Sequence, residues 1–210
     1  MLFGGIKMDN KMFCFQCEQT AGCTGCTGKA GVCGKTGETA RLQDELTGAL
    51  FGLARATDGE TSPDKDTWRV MVEGLFTTVT NVNFNEDTIR ALIDRVHREK
   101  EKLVAQCSEC MSPCGRNDDY DMSLLWNSGE DIRSLKSLIL FGIRGMAAYA
   151  YHAMVLGYAD EEIYRFIARA LFTVGSDLDM EKLLPVVMEV GKYNLACMEL
   201  LDSCLLYTSK

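Results

Sequence analysis

The sequence has no basic excess: 22 Lys and Arg stand against 30 Asp and Glu in 210 residues, a net charge of −8. A nucleic-acid binder carries a basic field that replaces counterions released from phosphate, so no nucleic-acid partner is expected. Nor does any run approach the ~18 consecutive apolar residues of a membrane span. Residues 1–11 (MLFGGIKMDNK) lack the apolar centre of a secretory signal. No membrane partner is expected, and the expected location is cytoplasmic. Histidine is scarce, with two residues in the chain. His97 sits among Arg95, Arg98, Glu99, Lys100 and Glu101, which reads as a solvated helix face, and His152 sits near the end of a long helix, where packing is the default. Neither has a nucleophile or an acid beside it in sequence, so no acid–base pair is legible. A phosphate-cradling glycine loop is also missing, because the glycines of residues 22–34 are interleaved with cysteine and follow no strand.

Cysteine is what the chain has in plenty. There are ten: Cys14, Cys17, Cys23, Cys26, Cys33, Cys107, Cys110, Cys114, Cys197 and Cys204. Small disulfide scaffolds are shorter and poor in helical core, whereas this chain is 47% hydrophobic with 11 Met and long periodic apolar segments. Five of the ten thiols crowd residues 14–33, and clustered thiols in an intracellular chain more often bind metal than pair.

No segment shows sustained strand alternation, and the fold class expected is all-α. A Cys- and Gly-rich loop over residues 12–37 precedes two antiparallel three-helix groups, residues 38–106 and 128–202. The first helix is expected from Thr39 through Leu42, Leu46, Leu50 and Leu53; the second spans residues 66–80; the third starts after Asn85, with Glu86 and Asp87 suiting its positive end. Residues 107–127 read as a loop connecting the groups. A long helix then starts at Ser128 or Asp131. Its expected buried stripe is Ile132, Leu135, Leu138, Ile139, Gly142, Ile143, Met146 and Ala150, and Gly157 is its stop. Helices over residues 161–173 and 180–201 follow, with Pro185 tolerated in the first turns of the last.

The chemistry sits in the opening loop. Cys14-x2-Cys17 presents two sulfurs to one face of a small inorganic body, and the longer spacers to Cys26 and Cys33 let the chain wrap and deliver two more. Four thiolates suit zinc or an iron–sulfur cluster. Zinc sites favour two short-spaced pairs, and Cys23-x2-Cys26 can supply the second, so a zinc-stabilised helical interaction module stays open. Gly22, Gly25, Gly28, Gly31 and Gly34 free the backbone to aim N–H groups at sulfur, which a net-negative cluster needs. Lys29 and Lys35 can add positive charge there, although loop lysines are more often solvated. Cys107-x2-Cys110-x3-Cys114 reads as reduced loop thiols or as three ligands short of a fourth. Cys197 and Cys204, seven apart on one helix face, read as core. The acidic run from Asn117 to Asp121 reads as a cap or turn, and Trp68 and Trp126 as anchors.

Met12-Phe13-Cys14-Phe15-Gln16-Cys17-Glu18-Gln19-Thr20, Gly25-Cys26-Thr27, Gly31-Val32-Cys33-Gly34-Lys35 and Leu42-Gln43-Asp44 resemble the opening of the hybrid cluster proteins, also called prismane proteins or hydroxylamine reductases. The stretches Glu130-Asp131-Ile132-Arg133-Ser134-Leu135 and Gly142-Ile143-Arg144-Gly145-Met146-Ala147-Ala148-Tyr149-Ala150 agree. So do His152-Ala153, Leu156-Gly157, Asn194 and Met198-Glu199-Leu200-Leu201-Asp202. The resemblance runs from Met12 to Asp202. Residues 1–11 read as an extension, and residues 203–210 match nothing in the family and read as a non-native end.

The resemblance implies that Cys14, Cys17, Cys26 and Cys33 hold a [4Fe–4S] cluster, with Cys23 a non-ligand. It implies a longer parent that reduces hydroxylamine or related small nitrogen oxides, fed by a redox electron donor. In that parent a hybrid iron–sulfur–oxygen cluster takes His, Glu and Cys ligands from later domains, absent from this sequence. The piece in hand is then expected to be inactive alone.

Overall fold

The computed structural model describes residues 12–17, 25–58, 61–79, 82–106 and 118–208. These form seven helices: α1 (Gly37–Ala56), α2 (Lys65–Thr77), α3 (Glu86–Val104), α4 (Met122–Trp126), α5 (Glu130–Val155), α6 (Glu161–Val174) and α7 (Met180–Thr208). Among the described residues there is no strand, only an isolated bridge between Cys14 and Cys26. The all-α expectation holds.

Local polar chemistry sets the helix ends. Thr36 caps α1, its hydroxyl accepting from the Thr39 amide at 3.0 Å, so the helix starts one residue after Thr36 and the expected start, Thr39, is buried inside it. Asn85 caps α3 by accepting from Thr88, and Asp160 caps α6. The α2 helix stops at Thr77 rather than residue 80, because the Thr78 hydroxyl turns back onto the Leu75 carbonyl at 2.8 Å. Gly157, at φ +87°, ends α5 as expected. Two segments are more helical than expected: Asp121 caps the short α4 within the connector, and α7 continues to Thr208.

Helices α1, α2 and α3 pack on one another, as do α5, α6 and α7, and the contacts of α2 with α5 and of α1 with α6 fuse both groups into one core. The α5 helix is long and apolar enough to span a bilayer by composition alone (mean hydropathy 1.3 over 18 residues), yet it packs against α2, α6 and α7. Its buried stripe differs from the expected one: Leu138 is 56% exposed, while Leu140 and the polar Lys136, Ser137 and Arg144 are buried. Two glycines allow the tightest approaches. A Cβ on Gly142 would lie 2.3 Å from Val190 Cγ1 of α7, and one on Gly48 would lie 2.3 Å from the Tyr120 carbonyl oxygen, whose own amide donates to Gly48 O.

Candidate metal centre

The loop before α1 is held by backbone bonds and a small apolar cluster. Cys14 N–H donates to Cys26 O (3.1 Å) and Cys26 N–H donates to Cys14 O (2.8 Å). Residues that exchange both bonds carry their side chains on one side, with Cβ atoms about 5 Å apart. Two of the four expected ligands are thus neighbours. Gly25 makes the approach possible: its φ is +78°, and a Cβ there would meet Cys14 O at 3.0 Å and the Phe13 ring at 3.1 Å. Cys33 lies in the turn closed by Gly31 N–H to Lys35 O (2.9 Å) and Gly34 N–H to Gly31 O (2.8 Å), with Gly34 at φ +90°. Its sulfur would stand 3.3 Å from a Cβ on Gly31, beside the Met12 methyl. Met12, Cys14 and Ala40 form a small apolar nest with Cys26 packed on it. All four thiols, Cys17 included, are free; Cys14 is buried, and the others are partly exposed.

Beneath the loop is a buried polar layer, centred on Gln16 (4% exposed), the residue before Cys17. Its Nε2 donates to Ala40 O (3.2 Å) and Asp44 Oδ1 (2.7 Å), its Oε1 accepts from Lys35 Nζ (2.7 Å), and its backbone oxygen accepts from Arg144 Nη1 (3.3 Å). Lys35 also donates to Gln43 Oε1, and Gln43 Nε2 donates to Asn83 O (2.9 Å). Arg144 (3% exposed) reaches in from α5, donating through Nε to Thr78 Oγ1 (3.0 Å) and through Nη2 to Thr47 Oγ1 (3.2 Å). Both hydroxyls spend their hydrogens on helix carbonyls, so their lone pairs face the guanidinium.

This environment sets the charges. Burial pushes the Asp44 carboxyl up to about 6, against the Gln16 hydrogen bond and the charges of Arg144 and Lys35. Burial draws Arg144 down to about 10, opposed by Asp44, Cys14 and Cys17, so it stays protonated at neutral pH. Burial also raises the Cys14 thiol, and the Lys35 charge pulls it back. On the outer side Trp126 of α4 packs on Phe13 and Phe15, with centroids at 6.4 and 5.2 Å. A cleft of about 720 Å³ opens between loop, α1 and α4, lined by Phe13, Lys29, Arg41, Asp44, Tyr120 and Trp126 among others.

Other expected residues fall elsewhere. Cys23, Cys107, Cys110 and Cys114 lie outside the described residues. Cys197 and Cys204 are buried on α7, the former thiol pushed to about 12 by burial, in keeping with core packing. His97 does have an acidic partner, Asp119, at 2.8 Å, and Asp119 is also bonded to Lys100 Nζ at 2.6 Å; this part of the acidic run binds side chains of α3. His152 packs edge-on to Phe76. Sequence reading assigned no role to Gln16, Asp44 or Arg144. The available signal was an arginine on α5 placed four residues after Leu140 and three before Ala147, inside the apolar face.

Among the described residues, no three His, Cys, Asp or Glu side chains stand close enough to share a single metal ion. A cubane cluster asks for something different, since each thiolate meets its own iron and the sulfurs surround a body rather than a point. Four free thiols on a glycine-hinged loop, above buried cations, are the kind of donor set that a class of thiolate-ligated metal proteins uses.

Comparison with known proteins narrows that class. The family model of the Prismane/CO dehydrogenase family matches residues 12–207. The chain is 38% identical over 213 residues to a hydroxylamine reductase of Methanococcus vannielii, covering 91% of this chain and 38% of that protein. It is 37% identical over 215 residues to one of Porphyromonas gingivalis (93% and 39%), and 38% over 214 residues to one of Thermodesulfovibrio yellowstonii (91% and 39%). The chain therefore belongs to the Prismane/CO dehydrogenase family. It spans under two-fifths of the length of these relatives, and the match continues past Asp202.

Proposed function

We propose that Cys14, Cys17, Cys26 and Cys33 hold a [4Fe–4S] cluster, and that this helical body is the electron-entry part of a longer reductase. The observation that supports it best is the doubly bonded Cys14–Cys26 rung, set above a buried layer whose charges are two cations and one carboxylate. When bound, the cluster supplies one-electron transfer. The chain's own residues do the rest. Gly25 and Gly34 let the loop turn back on itself, Met12 and Ala40 keep water from the Cys14 side, and Gln16 ties the Cys14–Cys17 turn to α1 and α5.

For the longer parent, the reading is reduction of hydroxylamine or a related small nitrogen oxide, as the names of the relatives suggest. The reaction is H2NOH with two electrons and two protons giving NH3 and H2O. It would run at a hybrid iron–sulfur–oxygen cluster whose His, Glu and Cys ligands lie outside these residues, with electrons from a redox donor in the cytoplasm. Neither nucleic acid nor membrane enters this reading.

Anaerobic reconstitution with iron and sulfide tests it. The wild-type chain is expected to gain a brown chromophore and four irons per chain. Cys26→Ser and Cys33→Ser should each lose most of both, and Cys23→Ser should keep them. A colourless chain holding one zinc, or equal loss on replacing Cys23, would overturn the assignment.

A further inference from the structure

The position of Arg144 is unusual for an arginine. It is 3% exposed, and its hydrogen bonds all go to neutral oxygens: Thr78 Oγ1, Thr47 Oγ1 and the Gln16 carbonyl. A buried charge without an ion partner is costly, and chains keep one chiefly where an opposite charge completes it. The nearby carboxylate, Asp44, accepts from Gln16 Nε2 through Oδ1 at 2.7 Å and supports the guanidinium by its charge, without a hydrogen bond between the two. Lys35, also buried, makes two hydrogen bonds to glutamine side-chain oxygens, again uncharged. Among the described residues, two cations thus meet one carboxylate, leaving the layer one positive charge in excess.

The geometry also says where that charge is directed. Arg144 comes from α5 and Lys35 from the loop, and both bond Gln16, a residue of the Cys14-x2-Cys17 turn itself. Negative charge on Asp44 first, and then on Cys14 and Cys17, favours the protonated guanidinium. A thiolate-ligated cluster is net negative and gains a further negative charge with each electron it accepts, so cations fixed beneath it favour the reduced form.

We propose that Arg144, seconded by Lys35, is a positioning residue that compensates the charge of the reduced cluster and so sets its midpoint potential, while its bond to Gln16 O anchors the Cys14–Cys17 turn. This rests on the cluster reading above. The electron enters without making or breaking a bond, and neither cation needs to give up a proton.

The test uses the full 210-residue chain, reconstituted anaerobically, with iron content, circular dichroism and a redox titration followed by electron paramagnetic resonance. Arg144→Gln keeps N–H donors and removes the charge; Arg144→Lys keeps the charge and loses part of the bonding; Lys35→Gln removes the second cation without touching α5. Expected are wild-type iron content in all three, a more negative midpoint potential in both neutral variants, and a potential near wild type in Arg144→Lys. A purely structural role predicts the reverse, with stability falling alike in both Arg144 variants while the potential stays put; that outcome overturns the proposal. If Arg144→Gln does not fold, Lys35→Gln decides on the same terms, an unmoved potential counting against it. A wild-type chain that takes up no iron removes the cluster reading itself, and is told apart because it is seen before any variant is made.

Discussion

At the scale of single residues, Asp44 gives the buried layer a pH dependence that can be worked out in sign. Its carboxyl titrates near about 6 in the folded chain against an ordinary 3.8, because burial outweighs the Gln16 bond and the two cations. The folded chain therefore holds this proton more tightly than the unfolded one. Stability is undiminished below the ordinary value and falls as pH rises through the folded one. The loss is on the order of 2 kcal/mol, less than the full shift implies because part of Asp44 faces the cleft. Asp44→Asn in the iron-free chain should match wild type at acid pH, exceed it above neutrality and lose this slope, as read from urea midpoints across pH. The acid is present in the sequence motif, but its environment was not legible there, since it depends on the loop bringing Gln16, 28 residues away, onto α1. Lys35 teaches the same lesson, as a loop lysine looks solvated until Gln16 and Gln43 are found above and beside it.

At the scale of helices, apolar spacing and cap chemistry made six of the seven legible in the sequence. Leu42, Leu46, Leu50 and Leu53 all lie in the core, and Asn85, Pro185 and Gly157 play their expected parts. What escaped was set by contacts between helices. Leu138 fits the period of α5 yet faces out, because the buried face of that helix is rotated toward Leu140 and Arg144. The short α4 is held partly from outside, by Tyr120 meeting Gly48 and by Trp126 meeting the loop aromatics, and five residues carry too little periodicity to reveal it. Gly48 supplies a test in which two effects oppose. Alanine gains up to about 1 kcal/mol of helix propensity over glycine. Its Cβ would lie 2.3 Å from a backbone oxygen, however, and such overpacking costs about 1–3 kcal/mol because backbone has to move. Gly48→Ala should therefore lower the urea midpoint, whereas a substitution at the open Gly145 should not.

Across the whole molecule, one apolar core runs through both helix groups, from Leu46 and Phe51 of α1 to Leu183 and Cys197 of α7. The sequence suggests two three-helix groups, and the contacts of α2 with α5 and of α1 with α6 join them around one core. A continuous core unfolds as a unit. Thermal unfolding followed by tryptophan fluorescence, from Trp68 in α2 and Trp126 in α4, should coincide with loss of helical circular dichroism. Two separated transitions would show that the groups come apart independently. Spacing and the family resemblance together single out four cysteines as candidates, but the polar layer beside them was not legible, for it is assembled from the loop, α1, α2 and α5 together.

The bond from Arg144 to the Gln16 carbonyl joins residues 128 positions apart. A nascent chain leaves the ribosome with this loop first, and the guanidinium that bonds Gln16 follows only when more than half of α5 has been made. A chain stopped short of α5 would therefore leave the Gln16 carbonyl without this bond, and the last tie of the opening loop is made late in synthesis.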